Sequence, residues 1–400
     1  MGEADAIELR GVSRSFGDVI AVDDVDLRID SGTFFTVLGP SGCGKSTMLR
    51  IDAGLEHPDG GRVLLDGSDI TAEPPERRDV SMVFQDYALF PNLDVLHNVM
   101  FPLKMRKVPR VLAKERALAA LELVELHQLQ SRRVNEISGG QRQRTALARS
   151  LVWNPGALLL DEPLAALDFQ LRQEMQLMLK GLQERVGITF MFVTHDQTEA
   201  FRLSDRIAVM RDGKLQQVGT PEELYHKPRN LFVATFIGNI NTIEGRVESV
   251  HADRVTVRCG NERLGGHSAR GTLKVGQQVM VAVRPELVEW ASEEYSVRAG
   301  RNRLACRVQH VGFQGAMVET TARVWGDETW LHLCMNPGAP AQPKPSETAR
   351  LEWNVSDTRV FPAADRNSQV PYRAPPSPPG READDTATAS YRLSIAVTRN

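Results

Sequence analysis

A nine-residue stretch, Gly39 to Thr47, constrains this chain more than any other part of its sequence. It reads Gly-Pro-Ser-Gly-Cys-Gly-Lys-Ser-Thr, which fits the G-x-x-x-x-G-K-[ST] pattern of a phosphate-binding loop. Residues 33–38 before it favour a buried strand, and residues 46–54 after it favour a helix. In such a strand, loop and helix, backbone N–H groups and the positive helix end converge on an anion. We therefore expect Lys45 to neutralise outer phosphates and the Ser46 hydroxyl to bind Mg²⁺; the alternative is a merely structural glycine-rich turn.

Length and composition limit the classes of protein. The chain has 400 residues, 42% of them hydrophobic and 25% charged, with a net charge of -3. This length predicts two or three domains, and the composition is typical of a soluble globular protein. The near-neutral charge gives no argument for nucleic acid or an anionic membrane as a partner. No apolar run approaches the roughly 18 residues of a spanning helix, and the short acidic start is unlike a signal peptide.

The cysteines are scattered and lack metal-ligand spacing, which favours unpaired thiols in a reducing cytosol. They are Cys43, Cys259, Cys306 and Cys334. Cys43 lies inside the phosphate-binding loop, where a helix N-terminus and Lys45 should lower the pKa of its thiol. We expect a thiol reagent to block the activity of this loop and bound nucleotide to protect it. The alternative is that a small residue simply fits the loop.

Two positions near the loop have more than one interpretation. Phe16 lies at a turn between two alternating strand patterns, residues 7–10 and 22–29, and could be a core residue or an exposed platform for an adenine ring. The phosphate-binding loop favours the platform. Asp52 shares a helical face with apolar Met48, so that face is partly wet or the carboxylate has a partner. We expect Asp52→Ile to leave activity intact and raise the melting temperature, whereas lower stability would indicate a satisfied polar contact.

A helical insertion interrupts the β pattern. A strand over residues 80–84 ends at Gln85, and residues of about 90 to 150 show helical periodicity. Near the end of this region stands Ser138-Gly139-Gly140-Gln141, a glycine-rich turn that leads directly into an apolar-periodic helix. A helix N-terminus with a glycine-rich backbone is a second phosphate-binding device by the same physics as the first.

Two further strands deliver polar residues to one sheet edge. Leu158 to Leu160 is an apolar strand that ends in Asp161 and Glu162, and residues 188–193 form another that ends before His195. Carboxylates at the end of a buried parallel strand are typical of the reactive edge of α/β proteins. A solvated loop is the alternative for the acids, and a structural role for the histidine. Beside a phosphate-binding loop, we expect Asp161 to hold Mg²⁺, Glu162 to take a proton from water and His195 to contact a γ-phosphate.

Together these motifs resemble the ATP-binding-cassette (ABC) ATPases over residues 7 to about 362. The resemblance implies an α/β P-loop NTPase fold, with a RecA-like core and a helical subdomain. It also implies catalytic roles for Glu162, His195 and Gln85, and a place for Asp168 at the end of a loop that crosses between subunits. The residues that it assigns to ATP are Phe16, Gly39, Pro40, Ser41, Gly42, Cys43, Gly44, Lys45, Ser46, Thr47, Ser138, Gly139, Gly140 and Gln141, and those for Mg²⁺ are Ser46, Gln85 and Asp161.

The sequence departs from the family pattern at few positions. Ile137 and Ala165 replace the usual Leu and Ser, and Asp52 replaces an aliphatic residue. Ala165 puts fine coupling between subunits in doubt rather than ATP binding.

Family architecture implies a head-to-tail homodimer in which the Ser138 segment of one chain caps the phosphate-binding loop of the other. With one cassette and no membrane span, the chain would act on two integral-membrane permease subunits, docked near residues 85–101. A periplasmic or extracellular solute-binding protein would be an indirect partner. We thus expect a peripheral protein at the cytoplasmic face of the inner (plasma) membrane, without nucleic acid.

The second half reads as short strands with turn signals, as expected of a small barrel. Residues 281–286, Val-Ala-Val-Arg-Pro-Glu, and the closing segment 353–362 resemble the OB-like TOBE module of binding-protein-dependent importers. We expect domains at 1–240 (ATP-binding, with the helical subdomain at about 90–150) and 241–362 (all-β and regulatory), followed by a tail, 363–400, that is disordered or contains one strand. A regulatory or dimerising role is favoured over oligonucleotide binding, because aromatic and basic residues interleave sparsely.

The resemblance does not fix the solute. Segments such as residues 219–225 look like the spermidine/putrescine branch, while iron(III), sugar, sulfate and phosphonate cassettes are nearly as similar. A DNA-repair or translation cassette would carry a coiled coil or a second cassette, and an exporter would usually be fused to membrane helices. A P-loop kinase would lack the Ser138 and His195 motifs. The remaining alternative of another class is an ATP-gated regulatory protein.

Overall fold

The computed structural model of the chain describes residues 5–269, 271, 273–291, 300–324, 330–336 and 343–363. The described strands before residue 241 form two sheets, in the orders β2-β1-β4-β5 and β10-β9-β3-β8-β7-β6. In chain order these strands are β1 (Asp5–Phe16), β2 (Val19–Asp30), β3 (Phe34–Leu38), β4 (Gly60–Leu65), β5 (Ser68–Asp69), β6 (Val80–Val83), β7 (Ala157–Asp161), β8 (Thr189–Thr194), β9 (Arg206–Arg211) and β10 (Lys214–Gly219).

The six-stranded sheet is parallel except for β10, which pairs antiparallel to β9. Its register aligns the carboxyl ends of the central strands, because Leu38 of β3 pairs with Thr194 of β8 and Asp161 of β7 pairs with Val193 of β8. The segments that follow β3, β7 and β8 therefore emerge at one edge of the sheet, as expected for the ligand-binding edge of an open α/β sheet.

Helices and the antiparallel sheet cover the two faces of this parallel sheet. Leu158 and Leu160 pack into a cluster with residues of the helical region, while Leu159 packs into a second cluster with β1, β2 and the first helix. This burial on both faces explains why β7 reads as a continuous apolar run. The α-helices are α1 (Lys45–Asp52), α2 (Val95–Met105), α3 (Arg110–Leu123), α4 (Gly139–Leu151), α5 (Phe169–Val186), α6 (Gln197–Leu203), α7 (Pro221–His226) and α8 (Leu231–Phe236).

The predicted helical insertion corresponds to α2, α3 and α4, which pack on one another. Ala117, Leu121 and Val124 are fully buried, as the periodicity predicts, and the charged positions between them are exposed. The helix after the phosphate-binding loop is shorter than expected, since it ends at Asp52.

The rest of the described chain is β-rich and forms two sheets rather than the single barrel that we expected. One is a closed five-stranded barrel, β11-β12-β13-β20-β14, and the other is a five-stranded sheet, β15-β19-β16-β17-β18. The strands are β11 (Asn241–His251), β12 (Arg254–Cys259), β13 (Glu262–Ser268), β14 (Gln278–Val283), β15 (Glu289–Trp290), β16 (Arg301–Phe313), β17 (Val318–Val324), β18 (Trp330–Met335), β19 (Thr348–Asn354) and β20 (Arg359–Pro362).

Strand β13 has no strong strand pattern in the sequence, and its glycines explain why. A Cβ at Gly266 would lie 2.8 Å from the side chain of Val360, so the close approach of β13 to β20 needs a residue without a side chain. Asn302 of β16 connects the two sheets, because its side chain donates to Gly265 O at 2.8 Å and to Thr358 Oγ1 at 3.0 Å. A shared core that includes buried Trp353 lies between them.

The predicted tail, including the possible strand at residues 391–397, lies outside the described residues beyond Ala363. Within the described ranges, none of the helices combines the length and apolarity that crossing a membrane requires.

Candidate functional site

The phosphate-binding loop connects β3 to α1 in a conformation that glycine makes possible. Gly44 has φ 102°, and a Cβ there would lie 1.9 Å from the carbonyl oxygen of Ala21. The loop wraps around the ammonium group of Lys45, whose Nζ donates to Gly39 O at 2.9 Å and to Pro40 O at 3.0 Å. Lys45 is 4% exposed. The partners of this buried cation are neutral carbonyl oxygens, and anionic phosphate oxygens would be stronger acceptors for it.

The first pair of predicted metal ligands lies together. Ser46 Oγ, in the first turn of α1, donates to Asp161 Oδ1 at 2.8 Å, at the end of β7. Hydroxyl and carboxylate oxygens are hard donors of the kind that Mg²⁺ prefers. These two residues therefore fit the predicted ion by their chemistry and by their proximity. Gln85 follows β6, the neighbour of β7, and its side chain is exposed.

The predicted general base and the predicted γ-phosphate contact, Glu162 and His195, form another pair. The Nδ1 atom of His195 lies 3.1 Å from Glu162 Oε2, and the His195 side chain is 54% exposed against 22% for Glu162. Glu162 has φ 44°, an uncommon value for a residue with a side chain, and its N–H donates to Val193 O at 3.0 Å. This bond to the adjacent strand holds a sparsely populated backbone conformation, of the kind that concentrates at functional sites.

Sequence reasoning missed the residues that hold the His195 segment. Thr194, which precedes His195, donates its hydroxyl to Glu199 Oε2 at 2.6 Å. Burial raises the pKa of Glu199, and Arg172 of α5 lies 3.8 Å from its other oxygen while donating to Leu167 O at 3.0 Å. The Arg172–Glu199 contact joins two helices that are distant in the chain, and charged residues on amphipathic helices carry no sequence signal for such partners.

The Ser138 segment forms the start of α4. Ser138 Oγ accepts from Gln141 N at 3.3 Å, and Gln141 Oε1 accepts from Ser138 N at 2.9 Å, which is a reciprocal capping box. The predicted glycine-rich helix N-terminus is therefore present. Among the hydrogen bonds of the described residues, none joins this segment, Phe16 or Gln85 to the Ser46–Asp161 or Glu162–His195 pairs.

Phe16 is 45% exposed at the end of β1, as expected for a platform rather than a core residue. The guanidinium carbon of Arg14 lies 4.7 Å from the centre of its ring. One face of the ring is thus already paired with a cation.

Cys43 corrects one expectation. Its side chain is buried within the loop, and burial raises the pKa of the thiol although Lys45 acts in the opposite direction. The prediction of a lowered thiol pKa is wrong, because desolvation outweighs the charge and the helix N-terminus. Asp52 also differs from expectation, because its buried carboxylate has no hydrogen-bond partner among the described residues.

The fold and these pairs define the class of protein as a P-loop nucleoside triphosphatase. A family model described as "ABC transporter" matches residues 22–165, and one described as "TOBE domain" matches residues 281–361. The chain belongs to the ABC transporter family and is an ABC-type ATPase with a C-terminal TOBE domain, which confirms the predicted fold class and enzyme class.

Three similar proteins are each named spermidine/putrescine import ATP-binding protein PotA. The one from Rubrobacter xylanophilus is 45% identical over 88% of this chain and 93% of its own length. The one from Acidothermus cellulolyticus is 43% identical over 94% of this chain and 98% of its own. The one from Frankia alni is 52% identical, over 72% of this chain but only 65% of its own length.

Solved structures with a similar fold align to little more than half of the chain. CbiO1 from Clostridium perfringens, described as part of the ABC transporter complex CbiONQ, has a TM-score of 0.52 at 29% identity and covers 56% of this chain and 91% of its own. A nucleotide-free ATP-binding cassette from an ABC transporter has a TM-score of 0.52 at 25% identity, covering 59% and 99%.

Proposed function

We propose that the chain is the ATP-hydrolysing subunit of a binding-protein-dependent importer, and that its solute is a polyamine, spermidine or putrescine. The observation that carries the catalytic part is the meeting of Ser46 with Asp161, and of Glu162 with His195, at one sheet edge. The solute rests on the relatives from Rubrobacter xylanophilus and Acidothermus cellulolyticus, which align over most of both chains and carry that name.

The phosphate-binding loop holds the triphosphate of ATP. Its backbone N–H groups and the start of α1 face the anion, and the Lys45 ammonium exchanges loop carbonyls for the β- and γ-phosphate oxygens. Ser46, Asp161 and Gln85 would hold Mg²⁺, which when bound neutralises charge on the phosphates. The exposed face of Phe16 stacks on adenine.

Hydrolysis uses Glu162 as the general base. Its carboxylate takes a proton from the water whose oxygen forms a bond to the γ-phosphorus, while the bond between the γ-phosphorus and the β–γ bridging oxygen breaks and ADP leaves with that oxygen. His195, whose Nδ1 lies 3.1 Å from Glu162 Oε2, orients the carboxylate and contacts the γ-phosphate. This geometry and the family likeness support the proposed residue roles.

Two chains would form the complete engine. Ser138–Gln141 of one copy caps the ATP that the other copy holds, and loss of the γ-phosphate opens the pair. Two integral-membrane permease subunits receive this motion, and a solute-binding protein delivers the polyamine to them. The chain would then work peripherally at the cytoplasmic face of the inner membrane.

Glu162→Gln and Lys45→Ala test the catalytic roles. Glu162→Gln should retain ATP binding and accumulate ATP-bound dimers, while turnover falls on the order of 10²-fold or more because the general base is lost. Lys45→Ala should abolish nucleotide binding. Turnover is measured by phosphate release, and dimers by light scattering with ATP. Near-normal turnover in Glu162→Gln would remove it from this role, and unchanged ATP affinity in Lys45→Ala would contradict the loop assignment.

Solute identity needs a separate measurement, since no residue of the site would touch the solute. ATP hydrolysis by the reconstituted complex should rise when spermidine-loaded binding protein is added, and remain low with the empty binding protein. Stimulation by iron(III), sugar, sulfate or phosphonate instead would reassign the solute. Hydrolysis that no loaded binding protein stimulates would favour the ATP-gated regulatory protein.

A further inference from the structure

The turn that follows Gln85 is held in an unusual backbone conformation. Tyr87 has φ 62° and Ala88 has φ 45°, so two successive residues with side chains occupy the left-handed region. Such residues are uncommon singly and persist only where surrounding structure holds them. The groups that hold this turn therefore also fix the place of Gln85, two residues before it.

Arg149 holds both carbonyl groups of the turn. Its Nη1 donates to Ala88 O at 2.6 Å, and its Nη2 donates to Tyr87 O at 2.7 Å. These short, charge-assisted bonds come from one planar guanidinium, a geometry that a lysine cannot reproduce. Burial lowers the pKa of Arg149, so the guanidinium is partly withdrawn from water where it binds the turn.

The far side of the turn contacts the acid loop. Tyr87 is 8% exposed, and its hydroxyl donates to Pro163 O at 3.4 Å, directly after Glu162. Beyond the turn, buried Asn98 of α2 accepts from Phe90 N at 2.9 Å and donates to Phe90 O at 3.1 Å. The turn is thus fixed between α4, α2 and the segment that carries the proposed base.

Arg149 also lies on the helix whose start is the Ser138 segment. Helix α4 runs from Gly139 to Leu151, and the eleven residue steps from Ser138 to Arg149 span about 16 Å of a single helix. One end of α4 therefore carries the segment proposed to meet the nucleotide of a second chain, and the last turn of the same helix binds the turn next to Gln85.

We propose that Arg149 is a positioning residue that places Gln85 for hydrolysis and transmits movement of the Ser138 segment to it through α4. This inference rests on the proposed function of the site. It predicts an effect on turnover rather than on ATP binding, because among the described residues Arg149 contacts the turn and the Phe90 ring and has no hydrogen bond to the phosphate-binding loop.

The test compares Arg149→Met with Arg149→Lys and with Arg144→Met as a matched control. Arg144 lies on the same helix, but its side chain pairs with Glu125 at 3.0 Å instead of with the turn. In Arg149→Met we expect kcat for ATP hydrolysis to fall about tenfold or more with KM for ATP within about twofold. Arg149→Lys should restore part of kcat, and Arg144→Met should be normal.

Amide hydrogen exchange gives a readout that does not depend on turnover. The Tyr87 N–H donates to Phe84 O at 2.9 Å, and its exchange should be at least about tenfold faster in Arg149→Met, with α1 unchanged. Ala88→Gly removes backbone strain at φ 45°, so Arg149→Met/Ala88→Gly should regain thermal stability but not kcat.

Three results would overturn the proposal: recovery of kcat together with stability in the double variant, equal loss of kcat in Arg144→Met, or unchanged Tyr87 exchange in Arg149→Met. Glu162→Gln and Lys45→Ala, measured alongside, report on the proposed function itself. If Glu162→Gln and Lys45→Ala retain wild-type turnover while Tyr87 exchange is still faster in Arg149→Met, the assignment of the catalytic site is wrong. The conclusion that Arg149 holds the turn would then stand.

Discussion

Asp52 is a buried carboxylic acid at the last residue of α1. Its side chain is 1% exposed, and neither carboxylate oxygen has a hydrogen-bond partner among the described residues. Burial raises the pKa of Asp52 to about 8, with the charge of Arg78 acting in the opposite direction. The sequence offered a partly wet face or a bonded partner, and neither is observed at this side chain. The group instead avoids the cost of a buried charge by remaining protonated.

Asp52→Asn should change how stability depends on pH. The ordinary pKa of an aspartate is near 3.8 and the folded value is about 8, so between these limits the folded chain keeps a proton that the unfolded chain has lost. Stability from this group is therefore fully present below about pH 4 and falls as pH rises towards 8, by at most about 1.4 kcal/mol per pH unit. Measured by urea unfolding at several pH values, the free energy of unfolding of Asp52→Asn should increase relative to that of wild type as the pH rises.

Asp52→Ile serves as the companion variant. It removes the same titration and replaces two unpaired polar atoms with apolar surface, so its melting temperature at pH 7 should exceed those of wild type and Asp52→Asn, with ATPase activity intact. If the free energy of unfolding depends on pH in the same way for wild type and both variants, Asp52 does not titrate over this pH range.

At the scale of one element, α1 depends on a residue outside it. The guanidinium of Arg78 is 1% exposed and donates to Ile51 O at 2.6 Å and Asp52 O at 2.9 Å, which are the last carbonyls of α1. It also donates to Glu73 O at 2.9 Å and Thr71 O at 3.1 Å. A cation at a helix C-terminus opposes the negative end of the helix dipole, and here it also binds the last two carbonyls of α1, of which Ile51 O accepts from Gly54 N as well.

Arg78→Met should destabilise the cassette by about 3 kcal/mol or more, since it removes the donor from two buried and two half-buried carbonyls. Arg78→Lys is the matched control and should recover only part of the loss, because an ammonium group cannot reproduce the planar fork. The free energy of unfolding in urea is the measurement. A change below about 1 kcal/mol in Arg78→Met would mean that water replaces the guanidinium at these carbonyls.

At the scale of the whole molecule, a polar contact joins the cassette to the C-terminal sheets. Arg284 follows β14, and its guanidinium donates to Asn239 O at 2.9 Å and to Gly238 O and Tyr225 O at 3.2 Å. The same group lies 4.1 Å from the centre of the Tyr225 ring, whose hydroxyl donates to Glu286. Burial and the bond to Glu286 raise the pKa of Tyr225 to about 12. An apolar contact between α8 and the barrel, which includes Phe361, lies beside this cluster.

Arg284→Met should weaken the thermodynamic coupling between the two halves. With three carbonyls and one aromatic face left without their cation, calorimetry should resolve the cassette and the C-terminal sheets as separate transitions, or as more widely separated ones than in wild type. Tyr225→Phe loses only the hydroxyl and should have a smaller effect. A single transition displaced as a whole in Arg284→Met would place the coupling in the apolar contact instead.

Local sequence determined much of this protein. The order of loop, helix and apolar strand at Gly39, Lys45 and Leu158 predicted a parallel α/β core, because strand and helix periodicity and glycine-rich turns are short-range properties. The division of the second half into two sheets was not predictable. Gly265 and Gly266 remove the alternating apolar pattern that would have indicated β13, and the order of strands depends on distant partners.

The phosphate-binding loop was identifiable because all residues of its motif lie in one continuous stretch of chain, Gly39 to Thr47. The tertiary structure alone decided what surrounds it. These features are the burial that raises the pKa of Cys43, the hydrogen bonds of Arg78 to four carbonyls, and those of Arg149 to the turn after Gln85. Each feature depends on residues that the fold brings together from distant positions in the chain. Desolvation and hydrogen-bond geometry depend on those neighbours, so no local sequence pattern predicts them.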